Sequence, residues 1–298
     1  MPRCLLLASA LGALVLACRA DWTDTSREGP NFAHVPDLTG MPDIVVDGPA
    51  LASSWVIYEE TFSPTACDVL ESPPGEGLTA GDHRTLRMTV NTPNVGTADL
   101  HVGDPNAHVA ANDGLFEFAS CHHHYHFRHY ATYELIRLDA SGNEVGAPVI
   151  AAKRGFCMID VAPYNSAATP PKAWVYRSCG AVGQTGNQGI STGWADQYYK
   201  WLPGQFFVID DLPAGPYKIR IHVNPGFVQG PSDPNCPAVD PQGLCHQFAE
   251  SDYANNIAEV VVTIPAGRPG KVGYGAGAGQ QLPNNVHELV DDENRPSK

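Results

Sequence analysis

The chain has 298 residues, with 32 Asp and Glu against 18 Lys and Arg, for a formal charge of −14. This acidic balance argues against nucleic-acid binding, which uses a basic surface, and it favours cationic partners such as amines or lysine-rich proteins. The 29 Gly and 26 Pro residues, together with the lack of long apolar stripes of helical period, favour short strands and loops over helices.

The N-terminal segment, residues 1–18, is typical of a secretory signal peptide. Arg3 supplies the basic start and residues 5–16 form a short apolar core. That core is too short to stay in a bilayer as a membrane-spanning helix. The sequence Val15-Leu16-Ala17-Cys18 also resembles a bacterial lipoprotein cleavage box, after which Cys18 would carry lipid. We therefore expect a secreted, extracellular protein, with an outer-membrane lipoprotein as the alternative.

A single β domain is predicted for residues 36–265. A polar lead-in, residues 19–35, precedes it, and a flexible acidic tail, residues 266–298, follows it. Runs of β-branched and aromatic residues recur within the domain, separated by Gly, Pro, Ser and Asn. This pattern predicts an antiparallel β-sandwich-like fold with long loops. The predicted strands are residues 54–61, 85–91, 131–139, 205–210, 217–223 and 257–264.

The histidine-rich stretch Cys121-His-His-His-Tyr-His126 is the most informative part of the sequence. In an extended strand, His122, His124 and His126 would share one face. A straight strand would hold the outer two Cα atoms roughly 13 Å apart, so we expect a bent or irregular strand that brings the rings together. Three converging imidazoles predict a metal site with an open coordination position. The alternative is a histidine-rich surface loop without a metal.

Six cysteines remain after the signal segment, and an even number in a secreted chain predicts disulfides. Cys236 and Cys245 flank a segment rich in Pro and Gly, so we expect them to close a local loop. The spacing of the cysteines leaves the other pairings open. The six are Cys67, Cys121, Cys157, Cys179, Cys236 and Cys245.

Together with the following Tyr133-Glu-Leu-Ile, the histidine stretch resembles the copper-binding motif of the lysyl oxidase family, Cys-His-x-His-Tyr-His. Further segments resemble the family in the same order, and the resemblance covers approximately residues 36–264. These segments are Ala152-Lys-Arg-Gly-Phe-Cys157, Gly193-Trp-Ala-Asp-Gln-Tyr198 with Gln205, Asp211-Leu-Pro-Ala-Gly-Pro-Tyr217, Val223-Asn-Pro225 and Glu250-Ser-Asp-Tyr-Ala-Asn-Asn256.

The resemblance implies a copper amine oxidase with a cofactor made from its own side chains. Lys153 and Tyr198 would join as lysine tyrosylquinone, in a reaction that uses copper and dioxygen. The enzyme would convert peptidyl lysine or other primary amines to aldehydes and release ammonia and hydrogen peroxide. Without the resemblance, Lys153 is an ordinary lysine at a strand end, and Tyr198 belongs to an aromatic cluster. Tyr199 is the alternative register for the cofactor tyrosine.

Two departures from the family pattern affect the proton-transfer machinery. Ala152 stands where the family usually has a histidine before the lysine. The interval between the copper motif and Tyr133 is one residue shorter, so another family histidine is replaced by Thr132 or displaced to His129. No general base is assigned, and Asp196 is the nearest candidate.

The resemblance also implies disulfide pairings. By position, Cys121 and Cys179 resemble a bridged pair of the family. With Cys236 and Cys245 paired locally, Cys67 and Cys157 are then left as partners. We expect these two long-range bridges to support the segments that carry the copper ligands and the cofactor residues.

A structural calcium site is the last feature that the resemblance implies. Oxygen-bearing side chains crowd the segment that ends the domain, and such ligands suit calcium. In the family this segment joins a Pro-Asp-Leu near the start of the domain. The expected ligands are Asp37, Leu38 through its carbonyl, Glu250, Asp252, Asn255 and Asn256. The alternative is a turn whose side chains cap backbone groups.

Two other function classes compete with the oxidase. A non-catalytic secreted copper-binding or adhesion module would keep the histidines and never form the quinone. A three-histidine metal enzyme could instead work by Lewis-acid chemistry. A quinone absorbs visible light and reacts with phenylhydrazine, so a cofactor assay separates the oxidase from both alternatives.

Overall fold

The computed structural model of the protein describes residues 35–72, 78–153, 155–164, 174–228, 236–269, 272–280 and 282. Contacts divide the chain into Met1–Val35 and Pro36–Lys298, and the second unit holds the predicted domain. The predicted signal segment, Cys18 and almost all of the polar lead-in lie outside the described residues. No helix among the described residues combines the length and the apolar character needed to cross a bilayer.

Three short helices occur in the described part of the chain. These are α1 (Gly48–Ser54), α2 (Cys67–Leu70) and α3 (Pro105–Ala111). Two of them begin with an aspartate cap and a proline in the first turn. Asp47 accepts the Ala50 N–H at 3.0 Å and Asp104 accepts the Asn106 N–H at 3.2 Å. Composition therefore predicted correctly that helices are minor elements.

Antiparallel strands are the main regular elements of the described fold, as the sequence predicted. They are β1 (Val56–Phe62), β2 (Gly81–Arg87), β3 (Val90–Pro93), β4 (Leu100–Gly103), β5 (Phe116–Ala119), β6 (His124–Arg128), β7 (Ala131–Leu138), β8 (Glu144–Ile150), β9 (Gly155–Phe156), β10 (Ala162–Pro163), β11 (Gln188–Ile190), β12 (Trp194–Tyr198), β13 (Phe206–Val208), β14 (Gly215–Val223), β15 (Ala238–Val239), β16 (Cys245–His246) and β17 (Ile257–Ile264).

The largest sheet has the strand order β17-β14-β7-β8. Its central strand β14 alternates as predicted, with Ile219 and Ile221 buried in the core. On the opposite face, Lys218 and Arg220 form ion pairs with Glu259 at 2.9 and 2.6 Å. The sheet thus has one apolar face against the core and one charged face toward solvent.

Two smaller sheets carry the candidate functional residues. One has the order β5-β6-β9 and contains the histidine strand. The other has the order β10-β12-β3 and contains Tyr198, which is paired with Val90. Both contribute to one hydrophobic core, where Phe127 of β6, Phe156 of β9 and Tyr198 of β12 are fully buried. A third sheet, β1-β2-β13, packs Phe62 against Phe206.

The predicted strands all have counterparts, with one difference in continuity. Predicted strand 85–91 is split between β2 and β3, because Met88 and Thr89 leave the ladder. Residues 272–280, which belong to the predicted tail, contact residues 55–57. Tyr274 exchanges backbone hydrogen bonds with Ile57 at 2.8 and 3.0 Å, and Gly277 donates to the Trp55 carbonyl at 2.9 Å. Residues 283–298 lie outside the described part.

Two of the predicted disulfides are wrong. The bridges are Cys67–Cys121, Cys157–Cys179 and Cys236–Cys245, so only the local loop bridge is confirmed. Helix α2 places Cys67 with its Cα 5.6 Å from that of Cys121, and the loop before β11 places Cys179 with its Cα 5.4 Å from that of Cys157. These distances suit a disulfide. The error arose because the pairing depends on which distant segments pack together.

Candidate metal and cofactor site

The histidine strand is bent, as the spacing predicted. His122 lies in a turn, whereas His124 and His126 lie on β6. The turn is closed by a hydrogen bond from the His123 N–H to the Ala119 carbonyl at 2.8 Å. His123 has a φ of 61°, an uncommon left-handed conformation for a residue with a side chain. This turn folds His122 back toward the two histidines of the strand.

The three predicted metal ligands converge. His122 Nδ1 lies 3.3 Å from His126 Nε2, and His126 Nε2 lies 3.1 Å from His124 Nε2. All three side chains are buried, and the candidate donor atoms lie within 4.8 Å of one another. Burial, followed by the nearby Lys153 charge, holds the pKa of His126 well below its usual range. A neutral imidazole is the form that binds a metal, so this donor set fits a transition-metal ion.

Gly155 is a supporting residue that the sequence did not single out. It pairs with Arg128 across β6 and β9, directly beside the histidine strand. A Cβ at this position would lie 2.3 Å from His126 Nδ1 and 2.6 Å from its Cβ. Any larger side chain would therefore displace the His126 ring. The absence of a side chain at residue 155 allows the backbone to pass close to His126, a candidate metal ligand.

Lys153 and Tyr198 meet beside the histidines. The Lys153 Nζ atom lies 4.9 Å from the centre of the Tyr198 ring and 5.7 Å from that of Phe156. Tyr198 is fully buried and donates its hydroxyl hydrogen bond to the Cys157 carbonyl at 2.8 Å. Phe156 meets the Tyr198 ring edge-on, with centroids 5.2 Å apart. The tyrosine ring is thus held from two sides, and the lysine amine reaches its face.

The alternative tyrosine has different surroundings. Tyr199 is 37% exposed and stacks on Trp201, with ring centroids 5.4 Å apart. Tyr199 follows the last residue of β12 and lies at the surface, whereas Tyr198 is fully buried beside Lys153. The register that places Tyr198 at the site is therefore the one that this geometry favours.

Asp196 is a buried carboxylate close to the two cofactor candidates. It precedes Tyr198 by two positions on β12 and shares its side of the strand. Neither carboxylate oxygen has a well-formed hydrogen bond, although the residue is fully buried. Burial raises the pKa of the Asp196 carboxyl well above its usual range. The Tyr198 side chain and the Lys153 charge both lower this pKa, but by less than burial raises it. Asp196 is thus a candidate for proton transfer at this site.

Two cavities reach the site from different sides. The smaller, of about 300 Å³, is lined by His122, His126 and Lys153. The larger, of about 1010 Å³, also has Lys153 in its wall. Glu117 lines both cavities. Lys153 therefore borders two cavities, one of them beside the candidate metal ligands.

The two positions considered for the displaced family histidine both line the larger cavity. His129 and Thr132 share this wall with Lys153, and both are exposed. His129 has a φ of 59°, at the end of β6. The structure therefore brings both residues to the approach route of the candidate site. Ala152 lines the smaller cavity.

In the predicted calcium segment, most of the side chains are engaged with protein partners. Glu250 is buried and accepts hydrogen bonds from the side chains of Asn224 and Asn256, at 2.7 and 2.5 Å, and from the Ile44 N–H at 3.1 Å. Burial, which exceeds the effect of these bonds, raises the pKa of Glu250 to about 7. Asp252 caps its own turn by accepting the Ala254 N–H at 2.8 Å.

The other expected calcium ligands are partly or fully exposed. Asn255 donates to both oxygens of Asp43, at 3.1 and 3.3 Å. Asp43 was not predicted from the sequence, and its pKa is raised by burial and by the charge of Asp252. Asp37 accepts bonds from Thr39, and Leu38 is exposed. Among the His, Cys, Asp and Glu side chains of the described residues, the three histidines are the one group of three or more whose candidate ligand atoms converge.

Comparison with known proteins identifies the family. A family model described as Lysyl oxidase matches residues 56–240, which include the histidine turn, Lys153 and Tyr198. The chain belongs to the lysyl oxidase family.

The curated relatives are distant in sequence. The chain is 27% identical over 239 residues to protein-lysine 6-oxidase of Gallus gallus, covering 78% of this chain and 47% of that protein. It is 26% identical to lysyl oxidase homolog 2 of the same species, over 80% of this chain and 27% of that protein. It is 26% identical to protein-lysine 6-oxidase of Sus scrofa, over 78% of this chain and 80% of that protein. The chain thus spans about half or less of the first two relatives.

Proposed function

We propose that this lysyl oxidase family member is a secreted copper amine oxidase with a lysine tyrosylquinone cofactor. The observation that carries the proposal is the approach of the Lys153 amine to 4.9 Å from the Tyr198 ring centre, in a cavity wall that also contains His122 and His126. The cofactor requires an amine beside a tyrosine ring and a redox-active metal nearby. Family membership supports the same reading.

The three histidines would hold the copper ion. Among divalent first-row ions, imidazole sites bind copper(II) most tightly. When bound there, copper supplies the redox chemistry that oxidises a tyrosine ring with dioxygen. The protein contributes a buried donor set of three imidazoles, which excludes most of the surrounding water.

The surroundings of Tyr198 and Lys153 prepare the two residues for cross-linking. Phe156 and the Cys157 carbonyl fix the Tyr198 ring, so its face stays turned toward the lysine amine. The ionised form of Asp196, which the nearby Lys153 charge favours, would accept the proton that the Lys153 amine loses before its nitrogen becomes a nucleophile. Holding reactants at this separation replaces a search through solution by a short local movement.

The substrates would be primary amines, including lysine side chains of cationic proteins, with dioxygen as the oxidant. The products would be an aldehyde, ammonia and hydrogen peroxide. The acidic composition favours the approach of cationic partners. The cavity of about 1010 Å³ is large enough to admit a lysine side chain together with part of its polypeptide.

We also propose a structural calcium ion at the segment that precedes β17. Asp37, Leu38, Glu250, Asp252, Asn255 and Asn256 are its ligand candidates, and the described structure adds Asp43 beside Asn255. Secretion through residues 1–18 is part of the proposal, with a lipid anchor on Cys18 as its membrane-bound form.

The decisive experiment is a search for the cross-link in copper-loaded protein. Digestion of active, reduced protein should give one joined peptide pair that contains Lys153 and Tyr198. Visible absorption and a phenylhydrazine adduct should accompany it. Lys153→Arg keeps the positive charge and Tyr198→Phe keeps the ring, yet each should abolish the pair and the adduct. Tyr199→Phe is the matched control and should retain both.

Two other outcomes would contradict the proposed oxidase. Copper-replete, catalytically active protein in which both residues occur on unmodified linear peptides would contradict the quinone. Copper-replete protein with no cross-link and no amine oxidation would instead favour the non-catalytic copper-binding module.

A further inference from the structure

Glu71 stands at the outer side of the histidine turn and has no role in the proposed reaction. It follows helix α2 directly, and Cys67 of that helix is bridged to Cys121. Glu71 Oε1 accepts the Cys121 N–H at 2.9 Å, while its Oε2 lies 3.7 Å from His122 Nε2. The carboxylate therefore contacts the turn at two successive residues.

The two ring nitrogens of His122 face different groups. Nδ1 lies 3.3 Å from His126 Nε2 and thus points toward the other candidate ligands. Nε2 points toward Glu71. A neutral imidazole that offers Nδ1 to a metal carries its proton on Nε2, so the N–H would face the carboxylate. A carboxylate at the second nitrogen is a frequent partner of metal-binding histidines, where it fixes the ring and its tautomer.

We propose that Glu71 is a positioning residue that orients His122 to bind the metal through Nδ1. The inference rests on the proposed metal site and adds a residue outside its ligands. At 3.7 Å the contact is electrostatic rather than a hydrogen bond. His122 is only 5% exposed at its side chain and Glu71 28%, so solvent screens this contact incompletely.

The position of the carboxylate is itself constrained. The Cys67–Cys121 bridge ties helix α2 to the turn, and the Cys121 N–H holds one carboxylate oxygen. The same helix contacts the cofactor side of the site. Asp68 accepts the Gly204 N–H at 2.5 Å, and a Cβ on Gly204 would lie 3.2 Å from the backbone of Lys153. Helix α2 thus contacts both the histidine turn and the segment that carries Lys153.

The test is a direct measurement of metal affinity in the full-length protein. Glu71→Gln keeps an oxygen that can accept the Cys121 N–H and removes the charge facing His122. We expect its dissociation constant for copper(II), measured by chelator competition, to rise by roughly 10–100-fold, the usual cost of losing such a partner. Glu59→Gln makes the same charge change on the exposed side of β1 and should leave the affinity unchanged.

A double-mutant cycle with His122→Ala separates positioning from general structure. If Glu71 acts through His122, Glu71→Gln should not weaken copper binding further in the His122→Ala protein. An equal loss in both backgrounds, or an affinity of Glu71→Gln within twofold of the wild type, would overturn the proposal.

A second measurement remains informative if the Glu71→Gln variant is less stable than the wild type. The increase in melting temperature on copper addition, taken relative to the same metal-free variant, should be smaller for Glu71→Gln than for Glu59→Gln. Equal increases would contradict positioning by Glu71. None of these readouts requires amine turnover. A missing cross-link with the expected copper affinities would therefore count against the quinone and not against Glu71.

Discussion

The histidine turn and the segment Glu250-Ser-Asp-Tyr-Ala-Asn-Asn256 are both rich in metal-binding side chains, but their structures differ. In the turn, three buried imidazoles point their nitrogens at one another, with separations of 3.1 and 3.3 Å. In the second segment, the Glu250 carboxylate is already bonded to Asn224, Asn256 and the Ile44 N–H.

The difference lies in what each set of polar atoms does without a ligand. Imidazoles that converge on a point gain little from one another, so a metal ion is the partner that satisfies them all. Carboxylate and amide groups can satisfy one another by hydrogen bonds, and such a segment can also serve as a structural turn. The residue types in a segment therefore indicate a metal site less strongly than the convergence of their ligand atoms does.

The largest expected effect is the loss of one converging ligand. His124→Ala should weaken copper binding by more than the roughly 10–100-fold that removal of an outer partner costs, and it should prevent the Lys153–Tyr198 cross-link. Metal content and peptide mapping measure the two outcomes. His123→Asn is the matched control, because asparagine tolerates the left-handed conformation of this exposed residue. Normal cross-linking in His124→Ala would show that convergence has no bearing on cofactor formation.

The next effect concerns the bridge beside Tyr198. Replacing Cys157 and Cys179 by Ser should lower the free energy of unfolding by about 2–5 kcal/mol. Cross-link yield should fall too, because the Cys157 carbonyl accepts the Tyr198 hydroxyl. Denaturant unfolding and peptide mapping are the measurements. The Cys236→Ser/Cys245→Ser variant, which opens a separation of 9 residues, should spare the cross-link. A non-reducing map that joins Cys121 to Cys179 would contradict this arrangement.

An effect of intermediate size is expected on the pH dependence of stability, through Glu250 in the segment that precedes β17. In calcium-free protein, Glu250 has its pKa raised from 4.5 to about 7, so the folded state holds this proton more tightly than the unfolded state. Its stabilising contribution is therefore complete below pH 4.5 and is lost as the pH rises through 7. Relative to Glu250→Gln, the wild type should lose about 3 kcal/mol over this interval. Parallel stability curves for the two proteins would rule out the raised pKa.

The smallest effect is calcium stabilisation. If calcium binds the folded protein only, calcium at 100 times its dissociation constant should add about 2.7 kcal/mol and raise the melting temperature of chelated protein. Asp252→Ala should reduce this increase, whereas Asp211→Ala, at another exposed aspartate, should not. A melting temperature indifferent to calcium in all three proteins would leave the segment as a capping turn, and the contrast with the histidine turn would be complete.

Much of the fold could be predicted because it depends on local sequence. The alternation in residues 217–223 predicted β14, and the turn residues predicted short antiparallel strands. The two-residue histidine spacing predicted the bend that brings the three rings together. Cys236 and Cys245 were paired correctly because only a short loop separates them.

Other features depend on contacts between distant segments. The cysteine pairs Cys67–Cys121 and Cys157–Cys179 follow from the packing of α2 and of the loop before β11, which no local pattern specifies. The close passage of Gly155 by His126 depends in the same way on the register between β6 and β9.

The sequence by itself determined which side chains this protein can use: three imidazoles at alternating positions, a lysine, a tyrosine and a set of oxygen ligands. Tertiary structure alone decided which of them meet. It placed the Lys153 amine over the Tyr198 ring, turned Tyr199 outward and set Glu71 behind His122. The physical reason is that side-chain chemistry and strand period are local properties, whereas a site requires atoms from separate strands to be held together by a common core.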